Sequence, residues 1–332
     1  MFKIGTQSIG ISATPFVIAE MSGNHNQSLD RALLIVDAAA AAGAHAIKLQ
    51  TYTADTMTLD LKGGEFFIDD PKSLWKGQAM HDLYKIAYTP WEWHEPIMKH
   101  AKSKNLLCFS SPFDESAIDF LETLDVPAYK IASFECIDLP LIKKAASTKK
   151  PLIISTGMAS ITEISEAVDV ARNAGCENLV LLKCTSTYPA SPENSHLRTI
   201  AHMRDLFGCE IGLSDHTLGI GAAVAAVAFS ATVIEKHFTL LRSDGGVDST
   251  FSLEPAEMAA LVTETKRAHQ ALGEIRYGPT EVEKDARLRR RSLYIGEDMR
   301  AGELLTVKNL RRIRPGKGLL PKYYEMLLGK RV

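Results

Sequence analysis

Short runs of β-branched and apolar residues recur along the chain, each ending in polar or charged positions. They are FVIAE (16–20), AIKLQ (46–50), LLCFSSP (106–112), AYKIAS (128–133), PLIIST (151–156), LVLLKCTS (179–186), EIGLSDH (210–216) and VIEKHFT (233–239). Between them lie segments of helical periodicity. In SLDRALLIVDAAAAAGA (28–44), Ser28 reads as the N-cap and Gly43 as the stop; in SITEISEAVDVARNAG, Ser160 and Glu163 form a capping box. Eight strands alternating with helices within about 240 residues predict parallel βαβ units closed into a (β/α)8 TIM barrel of the α/β class, in preference to an open doubly wound sheet. A dinucleotide-binding reading fails at its first step, because EMSGNHN after the first strand is not G-x-G-x-x-G.

The runs beginning at 46 and 106 are the most widely spaced, so the stretch between them, TYTADTMTLDLKGGEFFIDDPKSLWKGQAMHDLYKIAYTP, is an insertion at the barrel mouth. Its Phe66, Phe67, Trp75 and Tyr84 suit either a lid or packing down the barrel flank. The barrel is expected to occupy residues 1–275. The charged, Gly/Pro-bearing stretch IRYGPTEVEKDARLRR then marks a linker over 276–288. Residues 289–332 read as short strands and turns, too few to be stable without a partner surface, and docking on another subunit is the simple remedy.

Composition narrows the partners. A net charge of −2 over 332 residues gives no electrostatic case for nucleic acid or a membrane surface. The basic run RLRRR at 287–291 reads as a solvated or interface-forming part of the linker. The five cysteines have no C-x-x-C spacing and an odd count, which indicates neither a disulfide framework nor a zinc knuckle and fits the cytoplasm. MFKIGTQSIG lacks a signal-peptide core, and the apolar stretch at 219–234 is Ala-rich and too short to cross a bilayer.

In this barrel class the chemistry sits at the C-terminal strand ends. There the chain places Glu20, Lys48, Gln50, Ser110, Ser111, Lys130, Ser133, Ser155, Thr156, Lys183, Ser186, Ser214, Asp215, His216, Glu235 and His237. Any one of them has a bland reading as a cap or an ion pair, but together they are a ring of donors too costly to desolvate without a ligand. Lysines and hydroxyls on different strands suit a small molecule bearing phosphate and carboxylate. A salt-bridge network with Glu20 and Glu235 is the competing reading. His216 and His237 end neighbouring strands, and the i, i+2 pairs Ser214/His216 and Glu235/His237 point to one side, so both imidazoles can share a metal. Two histidines leave positions open for a substrate oxygen, and the oxygen-rich remainder suits Mn²⁺ or Mg²⁺ more than a closed zinc site. Cys136 and Cys184 have no histidine base close in sequence to make them nucleophiles.

The ordered blocks FVIAEMSGNHNQS, AGAHAIKLQTY, FSSPFD, PAYKIASFE, PLIISTGMAS, LLKCTSTYPAS, IGLSDHTLGI, EKHFT and FSLEP run through nearly the whole chain. In them the chain resembles the sialic acid synthase family, which condenses phosphoenolpyruvate with an amino-sugar aldehyde and ends in a small antifreeze-like (SAF, β-clip) domain. EMSGNHNQS, TADTMTLDL, TPWEWH and SDGGVDSTFSLEP are most like the branch that makes pseudaminic acid from 2,4-diacetamido-2,4,6-trideoxy-β-L-altropyranose. Branches making N-acetylneuraminic or legionaminic acid are the alternatives.

The resemblance implies that Lys48, Ser111, Lys130, Ser133, Ser155, Ser186 and Ser214 bind phosphoenolpyruvate, and that His216 and His237 hold a divalent metal, Mn²⁺ foremost, with Mg²⁺ or Co²⁺ as alternatives. It assigns Glu20, Tyr188, Glu235 and Asp248 to the sugar and the reacting centre. Arg314 matches an arginine that reaches the partner subunit's site, which implies a domain-swapped homodimer. Three positions depart from the family pattern. Ser249 stands where sialic acid synthases have histidine, Ser186 replaces an asparagine, and the chain stops at LLGKRV where the SAF domain is expected to continue.

The implied reaction is a metal-assisted attack of C3 of phosphoenolpyruvate on the open-chain aldehyde, water addition at C2 and C–O cleavage of phosphate. Glu20 is the candidate for proton transfer or water activation, or for positioning alone. Two rivals remain: a Schiff-base aldolase using Lys183, and an ice- or carbohydrate-binding protein suggested by the tail.

Overall fold

The chain opens on a hairpin, β1 (Phe2–Ile4) antiparallel to β2 (Gln7–Ile9), with Ile4 and Ile9 fully buried. The computed structural model describes all residues, Met1–Val332, in two units, Met1–Gly273 and Glu274–Val332.

In the first unit the eight apolar runs become eight strands: β3 (Phe16–Glu20), β4 (Ala46–Thr51), β5 (Leu107–Pro112), β6 (Tyr129–Ile131), β7 (Leu152–Ser155), β8 (Leu179–Cys184), β9 (Glu210–Asp215) and β10 (Val233–His237). Each pairs in parallel with the next, and β10 closes on β3 with His237 opposite Glu20. The barrel is therefore the one the alternating pattern predicts. The helices are α1 (Leu29–Ala41), α2 (Ala54–Met57), α3 (Met80–Ala87), α4 (Trp91–Ser103), α5 (Glu115–Thr123), α6 (Leu139–Ser147), α7 (Ile161–Asn173), α8 (Thr199–Phe207), α9 (Gly221–Ala228) and α10 (Pro255–Leu272).

Local chemistry sets the helix ends. Ser28 accepts from Arg31 N at the start of α1, whose Ala32, Ile35, Val36 and Ala39 repeat at helical spacing and are fully buried. Ser160 and Glu163 exchange hydrogen bonds at the start of α7, and Glu254 with Glu257 does the same for α10. Each fully buried aliphatic side chain in the strands contributes about 1.5–3 kcal/mol relative to exposure. Gly212 marks the tightest approach, since a Cβ there would run into Val233 O and the Leu182 side chain, so Gly212→Ala forces β9 off its neighbours.

The second unit has β11 (Ser292–Ile295) antiparallel to β12 (Leu310–Ile313), then α11 (Tyr324–Leu327). Its buried core is Leu293, Leu305 and Leu310, rimmed by Met299, Tyr323, Tyr324, Leu327 and Leu328. A small antiparallel sheet of this kind fits the SAF domain that the family resemblance implies. Residues 276–288, expected as linker, include a short 3₁₀ turn, Glu281–Glu283, and the start of another, Asp285–Arg289.

Candidate active site

Parallel strands in register bring like ends together. Glu20 on β3 lies opposite Lys48 on β4, Glu235 on β10 lies opposite Ser214 on β9, and Ser214 lies opposite Cys184 on β8. Above these ends is a cavity of about 590 Å³. Glu20, Lys48, Lys130, Ser133, Ser155, Tyr188, Ser214, His216, Glu235, His237 and Asp248 line it, as does Gln50.

At the cavity floor Lys48 Nζ is 3.1 Å from Glu20 Oε2 and 3.2 Å from Glu235 Oε1, and it donates to Ser111 Oγ at 3.2 Å. Lys130 Nζ is 3.4 Å from the same Glu235 oxygen, which also accepts from Ser214 Oγ at 3.2 Å. Gln50 donates to Glu20 Oε1 at 3.0 Å. Ser111 thus stands behind Lys48. All of these except Gln50 are buried, so the charges speak to one another with little screening.

The two carboxyls are driven apart. Burial pushes Glu20 up to about 7, with Lys48 opposing. Burial acts on Glu235 in the same sense, but Lys130 and Lys48 outweigh it and hold that carboxyl at about 2. Burial lowers Lys130. Ser155 Oγ and Glu235 Oε2 have no hydrogen-bond partner in the protein, which points to a ligand as their complement.

Gly157 explains how the serines fit. Its N–H donates to Ser133 Oγ at 3.2 Å, and a Cβ at this position would collide with Ser186 Oγ and crowd Ser133. Ser186 is half-buried beside Cys184, Sγ to Oγ 3.8 Å, and is not part of the cavity wall.

The His216 and His237 rings are 5.3 Å apart. His216 Nδ1 donates to Thr185 O at 2.9 Å, which fixes the tautomer with Nε2 as its free lone pair. Burial holds His237 well below its usual range and hence neutral. Its Nδ1 is buried without a hydrogen-bond partner, with Asp248 Oδ2 at 3.6 Å. Neutral imidazole, an orphaned ring nitrogen and a nearby carboxylate are a donor set that fits a divalent cation. Another grouping with ligand spacing, Asp60, His81 and Asp82, lies off the cavity wall. It is already bridged by Lys62, 2.9 Å from Asp60 and 2.6 Å from Asp82.

The period-two geometry of strands removes part of the expected ring. Lys183 turns away from the cavity and donates to Cys184 O at 2.8 Å, which takes out of the site the amine that the Schiff-base reading named. Asp215 also turns away, to Lys236 at 2.7 Å, as do Thr156, which donates to Leu182 O, and Ser110, against Thr51. Arg314 belongs to the second unit, one residue past β12, and is exposed.

Several wall residues lay outside the sequence expectations. Ser22 donates to Asp248 Oδ2. Glu135, half-buried with Oε2 unpartnered, is pushed up to about 7 by burial. Off the wall, Cys184, which the sequence showed without a histidine close by in the chain, has its Sγ 3.9 Å from His216 Nδ1; burial opposes ionisation, but His216, with Ser133 and Lys130, outweighs it and brings the thiol to about 7. Ser22 lies in the turn after β3, at positive φ, where strand parity no longer applies, so the pattern of the chain carried no signal for it. The insertion covers the mouth through Met57, Ile68, Trp75, Met80, Leu83 and Tyr84, the lid arrangement of the two expected; Phe66 and Phe67 do not reach the cavity.

A closed parallel barrel whose strand ends converge on a buried, charge-lined cavity with a histidine pair defines an enzyme of the TIM-barrel class. The NeuB family model matches residues 35–277. The chain is 43% identical to pseudaminic acid synthase of Campylobacter jejuni over 95% of this chain and 92% of that one. It is 41% identical to that of Helicobacter pylori over 96% and 93%. Among solved structures it is similar to the N-acetylneuraminic acid (sialic acid) synthetase from Leptospira borgpetersenii in complex with citrate, with TM-score 0.76, 33% identity and coverage of 86% and 94%. The chain belongs to the NeuB family, the sialic acid synthases.

Proposed function

We propose that the protein is a pseudaminic acid synthase, joining phosphoenolpyruvate to 2,4-diacetamido-2,4,6-trideoxy-β-L-altropyranose with water to give pseudaminic acid and phosphate. The observation that carries the chemistry is the convergence of Lys48 and Lys130 on one oxygen of Glu235, 3.2 and 3.4 Å away. That oxygen marks where two buried ammonium groups expect an anion, and the phosphate and carboxylate of phosphoenolpyruvate meet the same requirement. The identity to two pseudaminic acid synthases supports the choice of sugar.

The residues divide the work. Lys48 and Lys130, with Ser133, Ser155 and Ser214, hold phosphoenolpyruvate; Ser111 supports the Lys48 ammonium from behind, and Ser186 stands beside Cys184, off the cavity wall. Such positioning contributes several kcal/mol, up to about 7–11 in ideal cases. Tyr188, Glu235 and Asp248 face the sugar. His216 and His237 would hold a divalent cation, Mn²⁺ foremost, and that cation would supply Lewis acidity toward the aldehyde oxygen. C3 of phosphoenolpyruvate bonds to C1 of the aldehyde, whose oxygen gains a proton. Water then adds at C2, losing a proton, and the C2–O bond to phosphate breaks. Glu20, near neutrality, is placed to take the proton from water and return one.

The swapped homodimer rests on three supports: the slight core of the second unit, Arg314, and an exposed apolar rim at the barrel mouth, Phe134, Ile137, Met158, Ile161 and Leu218. Five free cysteines fit a cytoplasmic enzyme.

The deciding experiment is phosphate release from phosphoenolpyruvate with Mn²⁺ and three sugars offered separately: the diacetamido-trideoxy-altrose, N-acetylmannosamine and the diacetamido precursor of legionaminic acid. The altrose is expected to react fastest. Activity with N-acetylmannosamine alone overturns the sugar assignment, and no phosphate with any sugar sinks the condensation.

A further inference from the structure

Trp75 is, like Tyr84, an aromatic residue of the lid that lines the cavity. Its Nε1–H donates to Val247 O at 2.9 Å, and its ring lies 5.8 Å from that of Tyr188. Tyr188 in turn lies 4.4 Å from His216. A line of rings therefore runs from the histidine pair to the lid. Because the indole spends its one polar atom on Val247, the face it turns to the cavity is carbon. Ile68, Met80 and Leu83 line the same cavity, as do Asp70 and Ser73, and the Ser73 hydroxyl oxygen already accepts from the Trp75 backbone N–H at 3.2 Å.

Resting on the function proposed above, the reactive end of an open-chain sugar, C1, belongs beside the histidines and phosphoenolpyruvate at the cavity floor. The chain of carbons then leads past Tyr188, and its far end, C6, arrives under Trp75. A methyl against the indole gains contact with carbon, whereas a hydroxyl set against that face gives up water and gains no hydrogen bond from the ring.

We propose that Trp75 is a specificity residue: its anchored indole makes the far end of the sugar site apolar and selects a 6-deoxy sugar over its 6-hydroxy counterpart. An apolar pocket rejects an added hydroxyl by a factor of about 100, which sets the scale of the effect.

The test compares kcat/KM for the 6-deoxy diacetamido sugar with that for the same sugar carrying a C6 hydroxyl. Trp75→Gln places an amide at this wall and is expected to lower the preference at least about 10-fold, with KM for phosphoenolpyruvate unchanged. Trp75→Phe keeps the carbon face and loses only the Val247 bond, so it is expected to retain the preference. An equal loss on both sugars in Trp75→Gln, or an unchanged ratio, overturns the inference by making the residue merely structural. Wild-type enzyme that takes both sugars equally also overturns it while leaving the condensation standing. Failure of wild type on every sugar is instead failure of the proposed function.

Discussion

The Lys48 ammonium lies 3.1 Å from Glu20 Oε2, with both groups almost wholly screened from water. The same ammonium is 3.2 Å from Glu235, so one cation serves two buried carboxyls. Removing it as Lys48→Met leaves Glu20 without a cation and Glu235 with Lys130 alone. Breaking a buried pair costs about 3–5 kcal/mol, and because Glu20 can take up a proton the loss should fall at the lower end. Urea unfolding measures it. The rate of phosphate release should fall by at least about 100-fold, the scale of losing one preorganised charged donor. A variant as stable and active as wild type would refute both roles.

Glu20 links stability to pH. Burial raises its carboxyl in the folded state to about 7, from 4.5 in the unfolded chain, so the folded protein binds the extra proton between those values. Its contribution is fully present below 4.5 and is lost as pH rises through about 7. Melting temperature should therefore decline more steeply over that window in wild type than in Glu20→Gln. If the Glu20 carboxylate accepts the proton from water, kcat/KM should rise through the same window, and the substitution should remove that limb.

Lys183 offers a prediction of no effect. Its amine bonds Cys184 O on the side of β8 away from the cavity. Lys183→Met should keep phosphate release within a few-fold of wild type, about 1 kcal/mol or less in barrier. Borohydride with substrate should add no mass to the protein. A trapped adduct on Lys183 would restore the imine mechanism.

These cases show what was legible in the chain. The barrel was, because strands buried between a core and a helix layer are written as unbroken apolar runs such as LIIS and LVLLKC. Lys48, Lys130, Glu235 and the histidines were, because strand ends follow directly from those runs. The hairpin at Phe2–Ile9 was not, since three-residue strands are too short for any period to declare itself. Cys184 beside His216 was not either: their closeness depends on the stagger of β8 against β9, which local sequence does not encode. Lys183 and Asp215 entered the ring by proximity to strand ends, and the alternation of side chains turned them out.

The histidine pair predicts a dependence on added metal. Chelation should abolish phosphate release, and Mn²⁺ should restore it to the wild-type protein. His237→Gln should stay inactive at concentrations that saturate wild type, while its melting temperature without metal stays close to that of wild type. Full activity after exhaustive chelation would remove the metal from the mechanism.

Arg314 decides whether two chains build one site. The second unit has only Leu293, Leu305 and Leu310 as its buried core, little for a domain that must hold a side chain in place. If Arg314 serves the partner's cavity, Lys48→Met and Arg314→Ala are defects in different halves of the same site. Each variant alone should be nearly inactive. Unfolded together and refolded, about half of the dimers are mixed and each has one intact site, so about a quarter of wild-type activity should return. If Arg314 acts within its own chain, every site in every mixture holds one defect or the other, and mixing restores nothing.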